Sequence, residues 1–277
     1  MSIKDILVQA DCLDAFESRL HYAIALAKTN DAHLTALYVA PRYNIPAYVG
    51  ISVDPGIIQA TDELEWDQAR AAQRLFEKIT ATEQLSVEWR VEEGDSVGHF
   101  NTHGRYFDLV VLGQADPAWD DDLFTGITGE LVISLGRPAL VVPYAGAPAK
   151  AAKRILVAWD GSHSAARAIN DAMPFLKSAD MVEVISITSA KISLDEGDVP
   201  AADISLHLAR HGVNAIAQGF HAKDISNGAL ILSHASDLGA DLLVTGAYGH
   251  SRFRELLLGG VTHHLLKHMT LPVLMSH

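Results

Sequence analysis

An internal repeat is the strongest constraint on this sequence: three short apolar blocks occur twice, in the same order. In the first copy they read KDILV (residues 4–8), DLVVLG (residues 108–113) and RPALVV (residues 137–142). In the second copy they read KRILV (residues 153–157), DLLVTG (residues 241–246) and LPVLM (residues 271–275). A unit of this length that occurs only twice indicates a duplicated domain, because a solenoid needs several short repeats.

The repeat divides the chain into two predicted domains, residues 1–146 and residues 153–277. Between them, residues 146–152 read GAPAKAA, a run of small residues that is typical of a linker. Hydrophobic residues make up 49% of the 277-residue chain, so each predicted domain is long enough and apolar enough to bury its own core.

Within each copy, short apolar runs alternate with helical patterns. The runs at residues 6–8, 109–112 and 182–187 lack polar alternation, so we interpret them as strands buried on both faces. Leu20, Ile24 and Ala27 follow the spacing of a helix between such runs. This alternation predicts an α/β fold, with a five-stranded parallel sheet in each domain and helices on both faces. Ligands bind such sheets beyond the carboxyl ends of the strands.

The charge balance excludes several classes of partner. A formal net charge of -13 repels phosphate backbones and anionic lipid, so we expect neither nucleic acid nor membrane binding. No segment approaches the roughly 18 apolar residues of a membrane span, and the first residues have no signal-peptide pattern. We therefore expect a cytoplasmic protein. The single cysteine, Cys12, cannot form a disulfide framework, a zinc knuckle or a redox pair.

The first candidate loop follows residues 156–159 and reads Asp160-Gly161-Ser162-His163-Ser164. A carboxylate at a strand end accepts hydrogen bonds from a ribose or an adenine amino group, and Gly161 permits a tight turn. A purely structural role for Asp160 is an equal alternative, and helix capping is the interpretation that we favour for the two serines. Because no G-x-S-x-G elbow surrounds Ser162, we do not interpret this loop as a hydrolase triad.

The second candidate loop, residues 246–262, has four glycines and leads into the last helix. Glycines let the backbone approach a phosphate closely, and the first amides of a helix, here those of Gly260, Val261 and Thr262, form an anion site. The loop contains neither G-x-G-x-x-G nor G-x-x-x-x-G-K-[ST], so the sequence does not support a classical dinucleotide site or P-loop. On spacing alone, turn and cap roles for the glycines remain an equal alternative.

These residues resemble the universal stress protein family, and over nearly its full length the chain resembles a tandem member with two fused domains. The nucleotide-binding members of that family carry G-x2-G-x9-G-[ST], usually followed by Val-Thr or Val-Ser. Gly246, Gly249 and Gly259 keep this spacing, and Val261 and Thr262 follow in register. The resemblance implies two Rossmann-like domains of the adenine nucleotide alpha hydrolase-like type, paired about a pseudo-twofold axis as an intramolecular pseudo-dimer.

The same resemblance implies roles for further residues of the second domain. Asp160 matches the acidic residue that contacts the adenosine end of the nucleotide, and Ile187 stands where the family lines the adenine pocket. Gly260 departs from the pattern, which has Ser or Thr there. One lost neutral hydrogen bond costs about 0.5–1.5 kcal/mol, or about three- to tenfold in affinity. The backbone amide of Gly260 remains, so we expect a weaker site rather than none.

The first domain departs much further from the pattern. Asp116 stands where the motif has its second glycine, and Asp120, Asp121 and Asp122 follow. Carboxylates at the phosphate position would repel it by about 1 kcal/mol each at 4 Å in water. A solvated loop is the interpretation that we favour for these acids over a cation site. In both cases we expect a degenerate first domain that binds no triphosphate.

The chain has 14 histidines, some at metal-ligand spacing. His207 and His211 lie four residues apart, and His263, His264 and His268 cluster near the end of the chain. A stable zinc site needs a third or fourth ligand, and no H-E-x-x-H motif supplies one, so we predict no metal site.

The sequence therefore predicts a stress-response regulator that binds ATP, ADP or AMP in its second domain. Catalysis is not expected, because no general base or Mg²⁺-binding carboxylate accompanies the glycines. Two alternatives stay open: a nucleotide-free scaffold for protein contacts, and a slow ATPase assisted by a metal. The sequence leaves a role for Mg²⁺ open, as well as the identity of the nucleotide and the formation of a homodimer.

Overall fold

The computed structural model describes residues 2–41, 55–115, 122–189, 201–222, 225–248 and 260–277, and within these it contains ten strands and eight helices. The first half comprises β1 (Asp5–Ala10), α1 (Ala15–Asn30), β2 (His33–Ala40), α2 (Pro55–Thr80), β3 (Val87–Glu93), α3 (Ser96–Gly104), β4 (Leu109–Gly113), α4 (Asp122–Ser134) and β5 (Ala139–Val142). The second half comprises β6 (Arg154–Ala158), α5 (His163–Ser178), β7 (Met181–Ser189), α6 (Ala202–Arg210), β8 (Ala215–Ala222), α7 (Asn227–Leu238), β9 (Leu242–Gly246), α8 (Gly260–His268) and β10 (Val273–Ser276).

The ten described strands form one sheet in the order β3-β2-β1-β4-β5-β10-β9-β6-β7-β8. Within each half all neighbouring strands are parallel, so the predicted five parallel strands per half are confirmed, although the two halves share one continuous sheet. In each half the chain winds outward in both directions from a central pair, β1 with β4 and β6 with β9. This doubly wound, Rossmann-like order creates a crevice between the carboxyl ends of the central pair.

The hydrophobic core lies in two layers, one on each face of the sheet. Successive residues of a strand point to opposite faces, so Ile155 and Val157 join one layer while Leu156 joins the other. Helices α1, α2, α5 and α6 cover the first layer, and α3, α4, α7 and α8 cover the second. This double burial explains why the strands read as continuous apolar runs. In the described part of the chain, no helix is long and apolar enough to cross a bilayer.

The duplicated sequence blocks form duplicated hydrogen bonds. Asp108 Oδ2 accepts the backbone N–H groups of residues 4–5 at 2.7 and 3.1 Å, and Asp241 Oδ2 accepts those of residues 153–154 at 2.9 and 3.0 Å. Burial by itself raises the pKa of Asp241, but these N–H groups and Lys150 lower it overall. Each aspartate thus ties the start of its fourth strand to the start of the first.

The two halves meet along an antiparallel seam between β5 and β10. Val273 pairs with Val141, and Leu274 pairs with Leu140. Each of these strands follows a proline, a residue that suits a strand start or an edge strand. They are the edge strands of their own halves, and the seam removes both edges from solvent. The order of the second half is therefore that of the first half reversed.

Candidate functional site

The crevice of the second half lies between β6 and β9, where the strand order reverses. Ala158 pairs with Thr245 on one side and with Ile185 on the other. Continuing this register by two residues brings Asp160 level with Ile187 of β7 and beside the end of β9 at Gly246. Three predicted site residues, one in the turn after β6, one on β7 and one at the end of β9, thus share the carboxyl edge of the sheet.

The loop after β6 is a tight turn that starts α5. Gly161 has a φ of +75°, a conformation that favours glycine, and Asp160 Oδ1 accepts the backbone N–H of Ser162 at 3.0 Å. Ser162 Oγ accepts the N–H of Ala165 at 3.2 Å and lies 3.0 Å from Ser164 Oγ. The favoured capping role of Ser162 is therefore observed, and the Asp160 side chain stays exposed at the mouth of the crevice.

Gly246, the last residue of β9, is packed against the start of α5. A Cβ atom at this position would lie 2.4 Å from the backbone N of Ala165 and 2.8 Å from Ser164 Oγ. No side chain fits there without moving backbone, so glycine at this position brings the first turn of α5 close to the end of β9.

Helix α8 begins at Gly260, on the far side of the crevice. Gly260 is exposed, and a Cβ atom there would meet no atom of the described residues within 4 Å. Thr262 is buried, and its Oγ1 accepts the backbone N–H of Tyr248 at 3.4 Å, whereas Val261 is half-buried. The first N–H groups of a helix have no partner within the helix and carry its positive dipole end.

Two members of the predicted site, Gly249 and Gly259, lie outside the described residues. Ile187 is half-buried and packs against the core layer under α7 and α8. Tyr248 beside the crevice has a φ of +59°, which is uncommon for a residue with a side chain. Burial raises the pKa of Tyr248 to about 12, so its hydroxyl is neutral at physiological pH.

The first half fills the corresponding crevice with an arginine. Arg19 of α1 is buried, and its Nη2 lies 2.5 Å from Asp11 Oδ2 while its Nε donates to the Gln9 carbonyl at 2.8 Å. A Cβ atom on Gly113 would lie 2.0 Å from Arg19 Nη1, so the guanidinium covers the end of β4. In the second half, the repeat aligns the small residue Ala168 with Arg19.

The acidic loop of the first half is only partly described. Asp116, Asp120 and Asp121 lie outside the described residues, and only the backbone of Asp122 is described. Gln114, two residues before Asp116, is buried and bridges the two halves. Its Nε2 donates to the Leu266 carbonyl of α8 at 3.0 Å, and its Oε1 accepts a backbone N–H of the first half at 3.1 Å.

The histidines singled out in the sequence form ring pairs rather than ligand sets. The ring centroids of His207 and His211 are 4.7 Å apart, and those of His264 and His268 are 4.6 Å apart. Among the described residues, neither pair belongs to a group of three potential metal ligands. Arg19 and Asp11 were missed by sequence analysis, although the alignment of Asp11 with Asp160 was available as a signal.

Comparisons with known proteins agree with this architecture. Residues 151–277 match the model of the universal stress protein family. Over 296 residues the chain is 24% identical to a universal stress protein of Synechocystis sp., with 98% of this chain and 99% of the relative covered.

Two solved structures extend the comparison to the whole fold. A universal stress protein of Archaeoglobus fulgidus DSM 4304 superposes with a TM-score of 0.75 at 15% identity, covering 99% of this chain and 96% of that one. A functionally unknown protein of Pseudomonas aeruginosa PAO1 superposes with a TM-score of 0.59 at 18% identity, covering 99% and 92%. At these identities the likeness establishes the two-half fold.

Proposed function

Because residues 151–277 belong to the universal stress protein family, we propose that this half binds an adenine nucleotide and that the chain acts as a stress-response regulator. The ligand is ATP, ADP or AMP, and the proposed domains are residues 1–146 and 153–277. The proposed site comprises Asp160, Ile187, Gly246, Gly249, Gly259, Gly260, Val261 and Thr262.

The observation that carries the proposal is the register at the crevice. Ala158, the last residue of β6, pairs with Ile185, so Asp160 in the following turn and Ile187 of β7 both lie two residues further toward the carboxyl edge and bring one polar and one apolar group to it. An adenosine needs this combination, because its base is flat and apolar on its faces while its ribose and amino groups donate hydrogen bonds. Gly246 closes the other side of the crevice with backbone alone.

The start of α8 is suited to the phosphates. Gly260 is exposed, and no described residue occupies the space where its side chain would be, which suits the approach of an anion to its amide. Thr262 contributes to the shape of the helix start through its bond to Tyr248. No lysine is needed, because helix N–H groups and the helix dipole supply the positive field.

The first half is proposed not to bind nucleotide. Its acid at the position of Asp160 is Asp11, which is already paired with the buried Arg19. The guanidinium occupies the space above Gly113, at the crevice between β1 and β4. This closure supports one nucleotide per chain. It is independent of the acidic loop that first suggested a degenerate domain.

Thermal unfolding of the full chain with ATP and with AMP tests the proposal. A ligand at about 100 times its dissociation constant stabilises the native state by about 2.7 kcal/mol. We expect both nucleotides to raise the Tm. An unchanged Tm at millimolar concentrations of both would overturn the proposal and leave the nucleotide-free scaffold.

Two variants distinguish contacts to the adenosine from contacts to the phosphates. Asp160→Asn should weaken the binding of ATP and of AMP by a similar factor, because both nucleotides contain the adenosine that Asp160 is proposed to contact. Gly249→Asp, which imports the acid of the first half, should weaken ATP at least about tenfold and more than AMP, because a triphosphate carries more charge. Thr82→Asp, an exposed position in the turn after α2, adds the same charge elsewhere and should change neither affinity.

A slow ATPase would release phosphate from ATP, and an assay of phosphate release by the full chain tests this alternative directly. Phosphate release that is lost in Asp160→Asn and on chelation of Mg²⁺ would favour hydrolysis over simple binding. We expect no such release, so nucleotide binding acts by shifting the population of a state that a partner recognises.

A further inference from the structure

Three potential metal ligands of the first half converge at the carboxyl end of the edge strand β3. Glu92 comes from the strand, and His99 and His103 come from the following helix, α3. Their ligand atoms all lie within 4.8 Å of one another. All three side chains are partly exposed, so an ion from solvent can reach them.

The distances between these groups suit a small cation. His103 Nε2 lies 3.1 Å from Glu92 Oε1, and His99 Nδ1 lies 3.8 Å from Glu92 Oε2. Ligand atoms on a tetrahedral zinc ion, with bonds of about 2.0–2.1 Å, are about 3.3 Å apart. Small rotations of the side chains therefore bring all three atoms to bonding distance. Two neutral imidazoles and one carboxylate leave a fourth position for water.

The backbone holds the two histidines above the strand. Asp95 caps α3 by accepting the N–H groups of residues 97–98 at 3.1 and 3.0 Å, after a turn at Gly94 with a φ of +125°. The Gly94 N–H donates to the carbonyl of Ala40 at 2.9 Å, which fixes the turn to β2. The helix start is thus fixed before any ion binds, which lowers the entropic cost of assembling the ligands.

His99 has an outer contact of the kind that metal-bound histidines use. Its Nε2 lies 3.1 Å from the backbone carbonyl of Glu93, so the neutral ring donates from Nε2 and leaves Nδ1 as a lone pair toward Glu92. Such a bond fixes the ring tautomer and its orientation. In its neutral form, the His99 ring therefore presents the Nδ1 lone pair to the space that the ion would occupy.

An arginine holds His103 in the same Nε2–H tautomer, but this ring points its proton, not its lone pair, toward Glu92. Arg90 Nη1 lies 3.3 Å from His103 Nδ1, and because arginine only donates, the proton of the neutral ring lies on Nε2, toward Glu92. A ring that coordinates through Nε2 carries its proton on Nδ1, so Arg90 must give up this contact. Glu88 can retain Arg90, since it already accepts from Nε and Nη2 at 2.9 and 2.8 Å.

Among its described residues, the second half lacks the same arrangement. Counted from the N-cap Ser226, helix α7 has Leu230 and His234 at the offsets that His99 and His103 have from Asp95. His234 Nε2 lies 2.6 Å from the buried Glu183 of β7 instead. The trio is therefore particular to the first half and is not a by-product of the fold.

We propose that Glu92, His99 and His103 form a binding site for one divalent transition-metal ion, of which Zn²⁺ is the representative, with water at its open position. The ion joins the edge strand β3 to helix α3 across the turn at Gly94. It lies on the half whose nucleotide crevice is filled by Arg19. The assignment does not depend on nucleotide binding by the second half.

Titration of the metal-stripped full chain with Zn²⁺ against a chromophoric chelator tests this site. We expect one tight site per chain, weakened at least about tenfold in each of Glu92→Gln, His99→Gln and His103→Gln. Co²⁺ should give the visible absorption of a four-coordinate site in the wild type and lose it in the variants. Absence of a tight site in the wild type, or a site unaffected by these substitutions, would overturn the proposal.

Matched variants test whether zinc binds to other histidines of the chain instead. His207→Gln removes a helical histidine with an i,i+4 partner but no third ligand among the described residues, and it should leave the tight site unchanged. Arg90→Gln replaces the donor to His103 with a side chain that can accept, and it should tighten Zn²⁺ binding by up to about tenfold. Loss of the tight site in His207→Gln, or no gain in Arg90→Gln, would contradict the assigned ligands.

Discussion

The guanidinium of Arg19 lies 2.5 Å from the carboxylate of Asp11 and occupies the crevice of the first half. The side chain of Arg19 is 3% exposed and that of Asp11 is 23% exposed. The repeat aligns Asp11 with Asp160, the acid proposed to contact adenosine in the second half. One duplicated position thus serves an internal ion pair in one half and faces solvent in the other.

Arg19→Met should destabilise the chain by about 3 kcal/mol. The substitution removes the guanidinium from the Gln9 carbonyl and from the Asp11 carboxylate, which keeps the backbone N–H of Leu13, in a largely buried setting. Urea unfolding measures the difference. Arg70→Met is the matched control, because Arg70 pairs with Asp67 at 2.6 Å on an exposed helix face and should cost below about 1 kcal/mol. Equal costs for the two variants would contradict a buried, structural role for Arg19.

Gly246→Ala should destabilise the second half by about 1–3 kcal/mol, the usual range for overpacking. The new Cβ would lie 2.4 Å from the backbone N of Ala165, so β9 and α5 must separate. Gly260→Ala, whose Cβ meets no described atom within 4 Å, should leave the stability within about 0.5 kcal/mol of the wild type. Chemical denaturation measures the free energy of unfolding of both variants. A loss of stability that is no greater for Gly246→Ala than for Gly260→Ala would show that β9 and α5 do not approach this closely.

Gly260→Ser should strengthen ATP binding by about three- to tenfold, because it restores a hydroxyl at the start of α8. The position is exposed and has room for the side chain. Gly260→Ala adds the same Cβ without the hydroxyl and should not strengthen binding. Fluorescence competition between ATP and a labelled analogue measures both, and an equal effect of Ser and Ala would exclude a hydroxyl contact to phosphate.

The repeat predicted the fold well because each half buries its strands on both faces. The order of the repeated blocks indicated two five-stranded halves. Asp108 and Asp241, which occupy equivalent positions in the repeat, each accept a backbone N–H at the start of the first strand of their half. The antiparallel seam was not predicted, because the apolar sequences of the edge strands β5 and β10 do not specify the strand with which each of them pairs. Two of the motif glycines, Gly249 and Gly259, remain sequence predictions.

Side-chain clusters were predicted less well, because they join residues that periodicity does not connect. The spacing of His207 and His211 is that of metal ligands, yet in the structure their rings pack against each other and belong to no described group of three ligands. The cluster of Glu92, His99 and His103 went unnoticed because its carboxylate comes from a strand and its histidines from a helix. A search for carboxylates at strand ends that precede paired histidines would have found it.

Acidification should destabilise the chain in part through His264. Burial, followed by the neighbouring His268 and His263, lowers the pKa of His264 below its usual 6.5. The unfolded state then binds more protons than the native state, so stability is retained above about pH 6.5 and falls as the pH drops toward the lower native value. Thermal unfolding between pH 7.5 and pH 5.5 should show a smaller loss of Tm in His264→Gln. An equal or larger loss would contradict the direction of this shift.

Calorimetric titration of the full chain with ATP tests the central claim most directly, because it gives both the affinity and the number of sites. The account predicts one site per chain, weakened by Asp160→Asn and by Gly249→Asp and retained in Thr82→Asp. Two sites would contradict the closure of the first half by Arg19. No heat at millimolar ATP or AMP would contradict nucleotide binding by the second half.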